Sequence, residues 1–89
     1  MIVQLNGTLK VIFAEQVISD KLTKKEIVVT VDETTQYPQD IICQTVNDRT
    51  KLLDGFQMGQ KVSVKCDLRG KQSKERYYNN FLVLEISKA

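Results

Sequence analysis

The sequence contains no histidine, no tryptophan and a single proline. Histidine is the commonest general acid–base residue and the commonest metal ligand, so its absence removes the usual basis for catalysis or metal binding. No glycine-rich loop followed by Lys and Ser or Thr is present to hold a phosphate. We therefore expect a protein that is not an enzyme and that carries no cofactor or metal.

Cysteines and long apolar segments are also scarce. Two cysteines, Cys43 and Cys66, are too few for the disulfide framework of a small secreted domain, and both lie in predicted strands, where free thiols are usually buried. No apolar run approaches the roughly 20 residues that span a bilayer, and the first residues lack the basic and apolar regions of a signal peptide. The sequence predicts a cytoplasmic protein that does not contact membranes.

What the chain does contain fits one globular domain over residues 1–89, with 42% hydrophobic and 27% charged residues. The formal net charge is only +2, but the charge is unevenly distributed. Such asymmetry is compatible with a basic stripe on a nearly neutral protein, and also with solvated loop tips. The basic residues cluster in two regions: Lys21, Lys24 and Lys25; and Lys61, Lys65, Arg69, Lys71, Lys74 and Arg76.

Alternation of apolar and polar residues predicts five strands. The first contains Leu5, Leu9 and Phe13 on one parity, and Gly7 within it indicates a bend or bulge where one strand serves two sheets. The other four are predicted over 26–32, 40–46, 61–69 and 77–86. Loops are predicted over Ser19–Lys25, Glu33–Pro38 and Gly70–Arg76.

A short helix is predicted over 47–56, with Asn47 or Asp48 as its N-cap and Gly55 as its left-handed C-terminal exit. The order is then β-β-β-α-β-β, which predicts an all-β, five-stranded OB-fold Greek-key barrel with one helix between strands three and four. A small β-sandwich is the competing fold. The predicted core residues are Phe13, Leu52, Leu53, Phe56, Val62, Val64, Cys66, Leu68, Leu82, Leu84 and Ile86.

Four segments resemble the single-stranded-DNA-binding OB-fold proteins and a family of short, largely uncharacterised bacterial and phage proteins close to them. The resemblance implies sequence-tolerant binding of single-stranded DNA in replication, recombination or repair, often by dimers or tetramers. The missing tryptophan departs from the pattern, because such proteins often stack bases on one. The segments are Gly7-Thr8-Leu9, Tyr37-Pro38, Gly59-Gln60-Lys61-Val62-Ser63-Val64 and Tyr77-Tyr78-Asn79.

The ligand groove of an OB-fold crosses its second and third strands and is flanked by two loops. These loops carry the first basic cluster and, from the second, Lys71, Lys74 and Arg76. Binding a single strand without sequence preference takes a positive groove and aromatic faces. We predict that the two clusters meet over one groove. The predicted nucleic-acid-binding residues are Lys21, Lys24, Lys25, Tyr37, Arg69, Lys71, Lys74, Arg76, Tyr77 and Tyr78.

The register of the last strand decides the roles of its aromatic residues. The alternation predicts that Tyr77 is exposed and Tyr78 is in the core, but a slip of one residue would exchange them. Phe81 and Val83 share the parity of Tyr77, so they would form a subunit interface in a homo-oligomer.

Two other functions fit the same pattern. An OB-like module that binds protein is favoured by the low net charge and the missing tryptophan. RNA binding of the cold-shock type is less favoured, because no Lys-Gly-Phe-Gly-Phe-like segment is present. Single-stranded DNA is therefore the predicted partner, with RNA as an alternative.

Overall fold

A computed structural model describes residues 1–32 and 34–89, which form six strands and one 3-10 helix. The sheet order is β1-β5-β6-β4-β3-β2, and β1 also pairs with β3. This second pairing closes β1, β3, β4, β5 and β6 into the predicted five-stranded barrel. The strands are β1 (Ile2–Ile12), β2 (Gln16–Ser19), β3 (Leu22–Val31), β4 (Gln39–Val46), β5 (Lys61–Ser73) and β6 (Arg76–Lys88), and the helix covers Asn47–Leu53 between β4 and β5.

The barrel closes at Gly7, which lies opposite both Val31 of β3 and Val62 of β5. A Cβ atom at position 7 would collide with the carbonyl oxygen of Thr30. Only glycine therefore allows the two strands to approach so closely. The prediction that one strand serves two pairings at Gly7 is confirmed.

A second irregularity in β1 changes which of its residues face the core. The β1–β3 register shifts between Leu9 and Val11. Leu9 is fully buried, whereas Phe13 is 43% exposed and Ile12 packs against the core instead. The prediction that Phe13 is a core residue is wrong, because a bulge reverses the alternation beyond it.

One cluster of aliphatic side chains and two thiols fills the barrel. Burial of each large aliphatic side chain contributes about 1.5–3 kcal/mol. The two cysteines are free and buried, as predicted, with their Sγ atoms 3.9 Å apart, and this contact together with burial raises the pKa of Cys43. The cluster consists of Leu9, Ile27, Val29, Cys43, Leu53, Val62, Val64, Cys66 and Val83.

A register shift also occurs between β5 and β6. Lys65 lies opposite Glu85, but the next residue, Cys66, lies opposite Val83, so Leu84 is the extra residue of a bulge. Val83 is fully buried and Phe81 packs against the core. The prediction that these two residues form an exposed subunit interface is therefore wrong.

Leu53 at the end of the 3-10 helix and Phe56 just after it cover one end of the barrel. Leu52 is 36% exposed, contrary to its predicted core position. Among the side chains that the structure describes, none caps the N-terminus of the helix. Instead, the Asn47 side-chain oxygen accepts a hydrogen bond from the Thr23 backbone N–H at 3.0 Å and ties the start of β3 to the helix. Gly55 has a φ of 85°, which confirms the predicted left-handed exit.

Two hairpins replace two predicted loops. The β2–β3 hairpin turns at Asp20–Lys21, so Lys24 and Lys25 lie in a strand, and the β5–β6 hairpin turns at Lys74–Glu75. We call β2 with the start of β3, residues 16–24, the short hairpin, and residues 69–80 the arm. In both hairpins, backbone hydrogen bonding extends the strands beyond the apolar segments from which strands are predicted. The predicted turn before β4 lies at 34–38, and Glu33 lies outside the described residues.

Among the described residues, no helix is long and apolar enough to cross a membrane.

Candidate nucleic-acid interface

The arm presents two different faces, because residues directly opposite each other in an antiparallel pair share a face. Cys66 and its partner Val83 are in the core, and Phe81, the partner of Leu68, packs against it. Every second residue beyond Cys66 therefore continues the inner face. The other set forms the outer face. The inner face carries the pairs Gly70–Asn79 and Gln72–Tyr77, and the outer face carries Arg69–Asn80, Lys71–Tyr78 and Ser73–Arg76.

Both tyrosines of the arm are accessible, Tyr77 at 77% and Tyr78 at 49% exposure. The exposure of Tyr77 is as predicted. The prediction that Tyr78 is in the core is wrong, because this part of the hairpin extends beyond the barrel and has no core on either side. The register places Tyr78 directly opposite Lys71 on the outer face, while Tyr77 lies on the opposite, uncharged face.

The cations of the arm are not equivalent. The Arg69 Nε atom donates a hydrogen bond to the Asp67 carboxylate at 2.8 Å, and the N-terminal amine contacts the same carboxylate at 3.0 Å. These contacts, that of Arg69 foremost, lower the pKa of Asp67. Within the described part of the chain, no ion pair involves Lys71, Lys74 or Arg76, which are exposed. The free positive charge of the arm therefore lies at its tip and on its outer face.

The second basic cluster is spread along the short hairpin and the adjoining part of β3. Lys21 is at the exposed tip, and the Lys24 Nζ atom lies 3.8 Å from a Glu26 carboxylate oxygen. Lys25 is half-buried, and its backbone carbonyl accepts a hydrogen bond from the Thr45 hydroxyl at 2.9 Å. Of the three lysines in this cluster, Lys21 alone is both exposed and without a carboxylate partner among the described residues.

The two basic clusters lie at opposite ends of the barrel. β4 and β6 run parallel where Gln44 lies opposite Leu82, so the arm, which precedes Leu82, lies towards the β3–β4 turn. The short hairpin lies beyond the other end, where Lys24 is opposite Val46. At a rise of about 3.3 Å per residue, the two tips are about 40 Å apart along the strands, comparable with the 38 Å longest dimension of the molecule. The prediction that the clusters meet over one groove is wrong.

Tyr37 lies on the β3–β4 turn, at the same end of the sheet as the arm, and is 71% exposed. The register thus separates the predicted site residues into two groups. Arg69, Lys71, Lys74, Arg76, Tyr77, Tyr78 and Tyr37 belong to one end, and Lys21, Lys24 and Lys25 belong to the other.

The surface of β3 and β4 between the two ends is electrically neutral. Besides the Lys24–Glu26 pair, the Asp40 carboxylate accepts hydrogen bonds from Lys10 Nζ at 2.8 Å and from the Thr30 hydroxyl at 2.7 Å, and both lower its pKa. Ile42, which is 50% exposed, occupies the middle of this face. No aromatic side chain lies on the described outer face of these two strands.

Sequence reasoning missed Asp67, whose carboxylate pairs with Arg69. A signal for it was present, because residues two apart on a strand share a face and an Asp-x-Arg spacing places the two charges side by side. The position of the arm's tip had no comparable signal, since the Lys74–Glu75 turn lacks the Asn-Gly or Asp-Gly pair that marks two-residue hairpins.

A family model described as "Domain of unknown function (DUF3127)" matches residues 4–87, nearly the whole chain. No functionally curated protein matches the sequence.

Solved structures with the same fold include single-stranded-DNA-binding proteins and a PriB domain. The mitochondrial single-stranded DNA binding protein Rim1 of S. cerevisiae superposes with a TM-score of 0.81 at 12% identity, covering 99% of this chain and 94% of that one. The dimeric N-terminal domain of PriB from Thermoanaerobacter tencongensis gives 0.72 at 13% identity with the same coverage. A small single-stranded DNA-binding protein from Streptomyces coelicolor gives 0.59 at 11% identity, covering 100% and 94%. These likenesses confirm the OB-fold.

Proposed function

The chain belongs to the family described as "Domain of unknown function (DUF3127)", and we propose that it binds single-stranded DNA through the arm without reading its sequence. The observation that carries the proposal is the pairing of Lys71 with Tyr78 on the outer face of the arm, beside Arg76. A cation adjacent to an exposed aromatic ring supplies both contacts that a single strand offers, a phosphate and an unstacked base. The single-stranded-DNA-binding proteins among the similar structures support the proposal through their shared fold.

The roles of the arm residues follow from their positions. Lys71, Lys74 and Arg76 neutralise phosphates, and Tyr78 stacks on a base between them. Residues two apart on a β-strand are about 6.7 Å apart. A DNA strand that follows the arm can therefore contact every second residue on its outer face. Three phosphate contacts predict that log Kd changes with log salt with a slope of magnitude about 2 for a single strand.

The remaining predicted residues contribute less. Tyr37 lies at the same end and can stack on a base that leaves the arm. Tyr77 faces away from the free cations, and Arg69 is held by Asp67. Lys21, Lys24 and Lys25 lie too far away to contact the same few nucleotides.

We further propose that the protein works as a homo-oligomer in the cytoplasm, by binding and not by catalysis, in replication, recombination or repair. An oligomer brings several arms to one strand, and linked sites raise the overall affinity when one strand reaches them together.

A protein-binding module is the second candidate, favoured by the neutral β3–β4 face with the half-exposed Ile42 at its centre. An exposed aliphatic side chain on an uncharged surface suits a protein partner better than a polyanion.

Fluorescence anisotropy with labelled oligo-dT, oligo-U and duplex DNA at two salt concentrations tests the proposal. We expect oligo-dT to bind with the stated salt slope and duplex to bind more weakly, because its bases are already stacked. If neither oligonucleotide binds at low salt, the protein-binding module becomes the better account. Oligo-U binding as tight as oligo-dT would extend the ligand to RNA.

A further inference from the structure

In the described part of the chain, two elements at opposite ends of the barrel have unpaired backbone edges. Strand β2 pairs only with β3 among the described residues, so its other edge is open. The arm extends past the last partners of its strands, because the β1–β5 ladder ends at Asp67 and β4 meets β6 only at Leu82. Beyond those points both edges of the arm are open in the described structure. Open strand edges are templates for pairing with another chain.

The short hairpin also exposes apolar side chains. Val17 is 75% exposed and Ile18 is 54% exposed, and Phe13 and Leu22 beside them are 43% and 37% exposed. A two-stranded hairpin in water is marginally stable unless something packs on it. The short hairpin therefore has the properties of a contact surface. The arm is also two-stranded, so packing against another chain would stabilise it as well.

Charge decides which edges can pair. Two arms side by side would bring Lys71, Lys74 and Arg76 against their copies, and like charges opposite each other destabilise a pair of strands. Two β2 strands in antiparallel register, with Gln16 opposite Ser19, would place Glu15 of one copy opposite Asp20 of the other, which is equally unfavourable. Glu15 and Asp20 flank β2, whereas Lys21 lies on the turn and Lys24 on the partner strand β3. The combination that places opposite charges together at the open edge of β2 is therefore β2 with an arm.

We infer that β2 of one copy receives an edge of the arm of a second copy. Because the contact joins two different surfaces of the same chain, it is heterologous, and each copy still offers one free arm and one free β2. Copies added in this way form an open row, joined through a backbone edge of the arm and the charges of Lys74 and Arg76 beside it. This inference does not depend on DNA binding and is tested without DNA.

Two charge-reversed variants test the pairing. Glu15→Lys with Asp20→Lys makes β2 repel an arm, and Lys74→Glu with Arg76→Glu makes the arm repel β2. All four side chains are exposed, so circular dichroism should show both variants folded. The measurement is the weight-average mass from sedimentation equilibrium over a concentration series at low salt, because surface charge contacts are screened by salt.

The wild-type mass should rise with concentration without reaching a plateau. Each variant alone should keep a mass that does not change with concentration. That constant mass can be that of a monomer or of a closed oligomer formed through another surface. An equimolar mixture of the two should have a higher mass than either alone, because the arm of the first variant and the β2 of the second remain compatible. A mixture no heavier than its components, or a wild type of constant mass, would overturn the inference. An association of wild type that both variants retain would also overturn it, since it would require a different surface.

Discussion

The arm and the short hairpin have the same spacing of lysines, but the side chains around those lysines differ. Both are antiparallel hairpins that carry lysines three residues apart, Lys71 and Lys74 in one and Lys21 and Lys24 in the other. In the arm, neither lysine has an ion-pair partner among the described residues, and one of them lies opposite an exposed tyrosine. In the short hairpin, one lysine is beside a carboxylate and the exposed neighbours are aliphatic.

The difference shows that the kind of ligand a basic cluster can bind depends on the other side chains on the same face. A cation beside an aromatic ring can hold a nucleotide, whereas a cation beside a carboxylate and apolar side chains suits a protein surface. The matched spacing of the lysines makes the two hairpins controls for each other.

The largest effect is expected from reversing the free charges of the arm. Lys71→Glu with Lys74→Glu should weaken oligo-dT binding about tenfold or more and reduce the magnitude of the log–log salt slope by about 1.4, since two phosphate contacts are lost. Anisotropy titrations over a salt series measure both quantities. An unchanged slope would show that these lysines do not touch phosphate.

The two tyrosines of the arm should differ. Tyr78→Ala should cost about 1–3 kcal/mol of binding free energy, because it removes a stacked base on the basic face. Tyr77→Ala, on the neutral face, should change binding by less than about 0.5 kcal/mol. Both side chains are exposed, so thermal unfolding should show that both variants fold. Equal losses would place the strand over both faces of the arm and remove the distinction drawn from the register.

Releasing Arg69 should strengthen binding modestly. In Asp67→Asn the guanidinium loses its carboxylate partner and becomes available to phosphate, so we expect a few-fold tighter binding and a salt slope larger in magnitude by about 0.7. Arg69→Ala in the wild-type background should have almost no effect on affinity. Weaker binding by Asp67→Asn would mean that the carboxylate positions the arm.

The same carboxylate predicts a pH dependence of stability. The pKa of Asp67 is lower in the folded state, so its stabilising contribution is present above the unfolded value of about 3.9 and is lost as the pH falls through the folded value. Denaturant unfolding at pH 7 and in strong acid should therefore show a smaller acid-induced loss for Asp67→Asn than for wild type. Equal losses would show that the contact with Arg69 and the N-terminus contributes no stability.

The smallest effect is expected at the short hairpin. Lys21→Glu with Lys24→Glu repeats the charge change and the spacing of the arm variant, yet it should leave the affinity for a short oligo-dT within about twofold, because only weak screened charge acts over such a distance. A loss as large as that of the arm variant would contradict the assignment of the two hairpins.

Much of the barrel could be predicted from sequence, because closely spaced apolar alternation reports burial directly. The alternation of Val62, Val64 and Cys66 is an example. Gly7 could also be predicted, because a glycine inside a strand indicates a bend or a close approach of backbones. Two bulges could not be predicted, and each reversed the side-chain alternation beyond it, which misplaced Phe13 and Val83. A bulge is set by the partner strand, and the pattern within one strand carries no trace of it.

The site was harder to predict than the fold. Tyr77, Tyr78 and the basic residues of the arm could be selected by composition, but their division between two faces depends on a turn without a sequence signal. The joining of the two basic clusters was an expectation about loops, and it failed because the parallel pairing of β4 with β6 determines which end of the barrel the arm occupies.

The most direct test of the central assignment is a map of backbone amide chemical shifts during titration with a short oligo-dT. We predict that the largest changes lie within residues 69–80, strongest around Lys71, Arg76 and Tyr78, with smaller changes near Tyr37 and none above background in residues 16–24. Changes centred on the short hairpin, or on the neutral face of β3 and β4 with the arm unaffected, would contradict it.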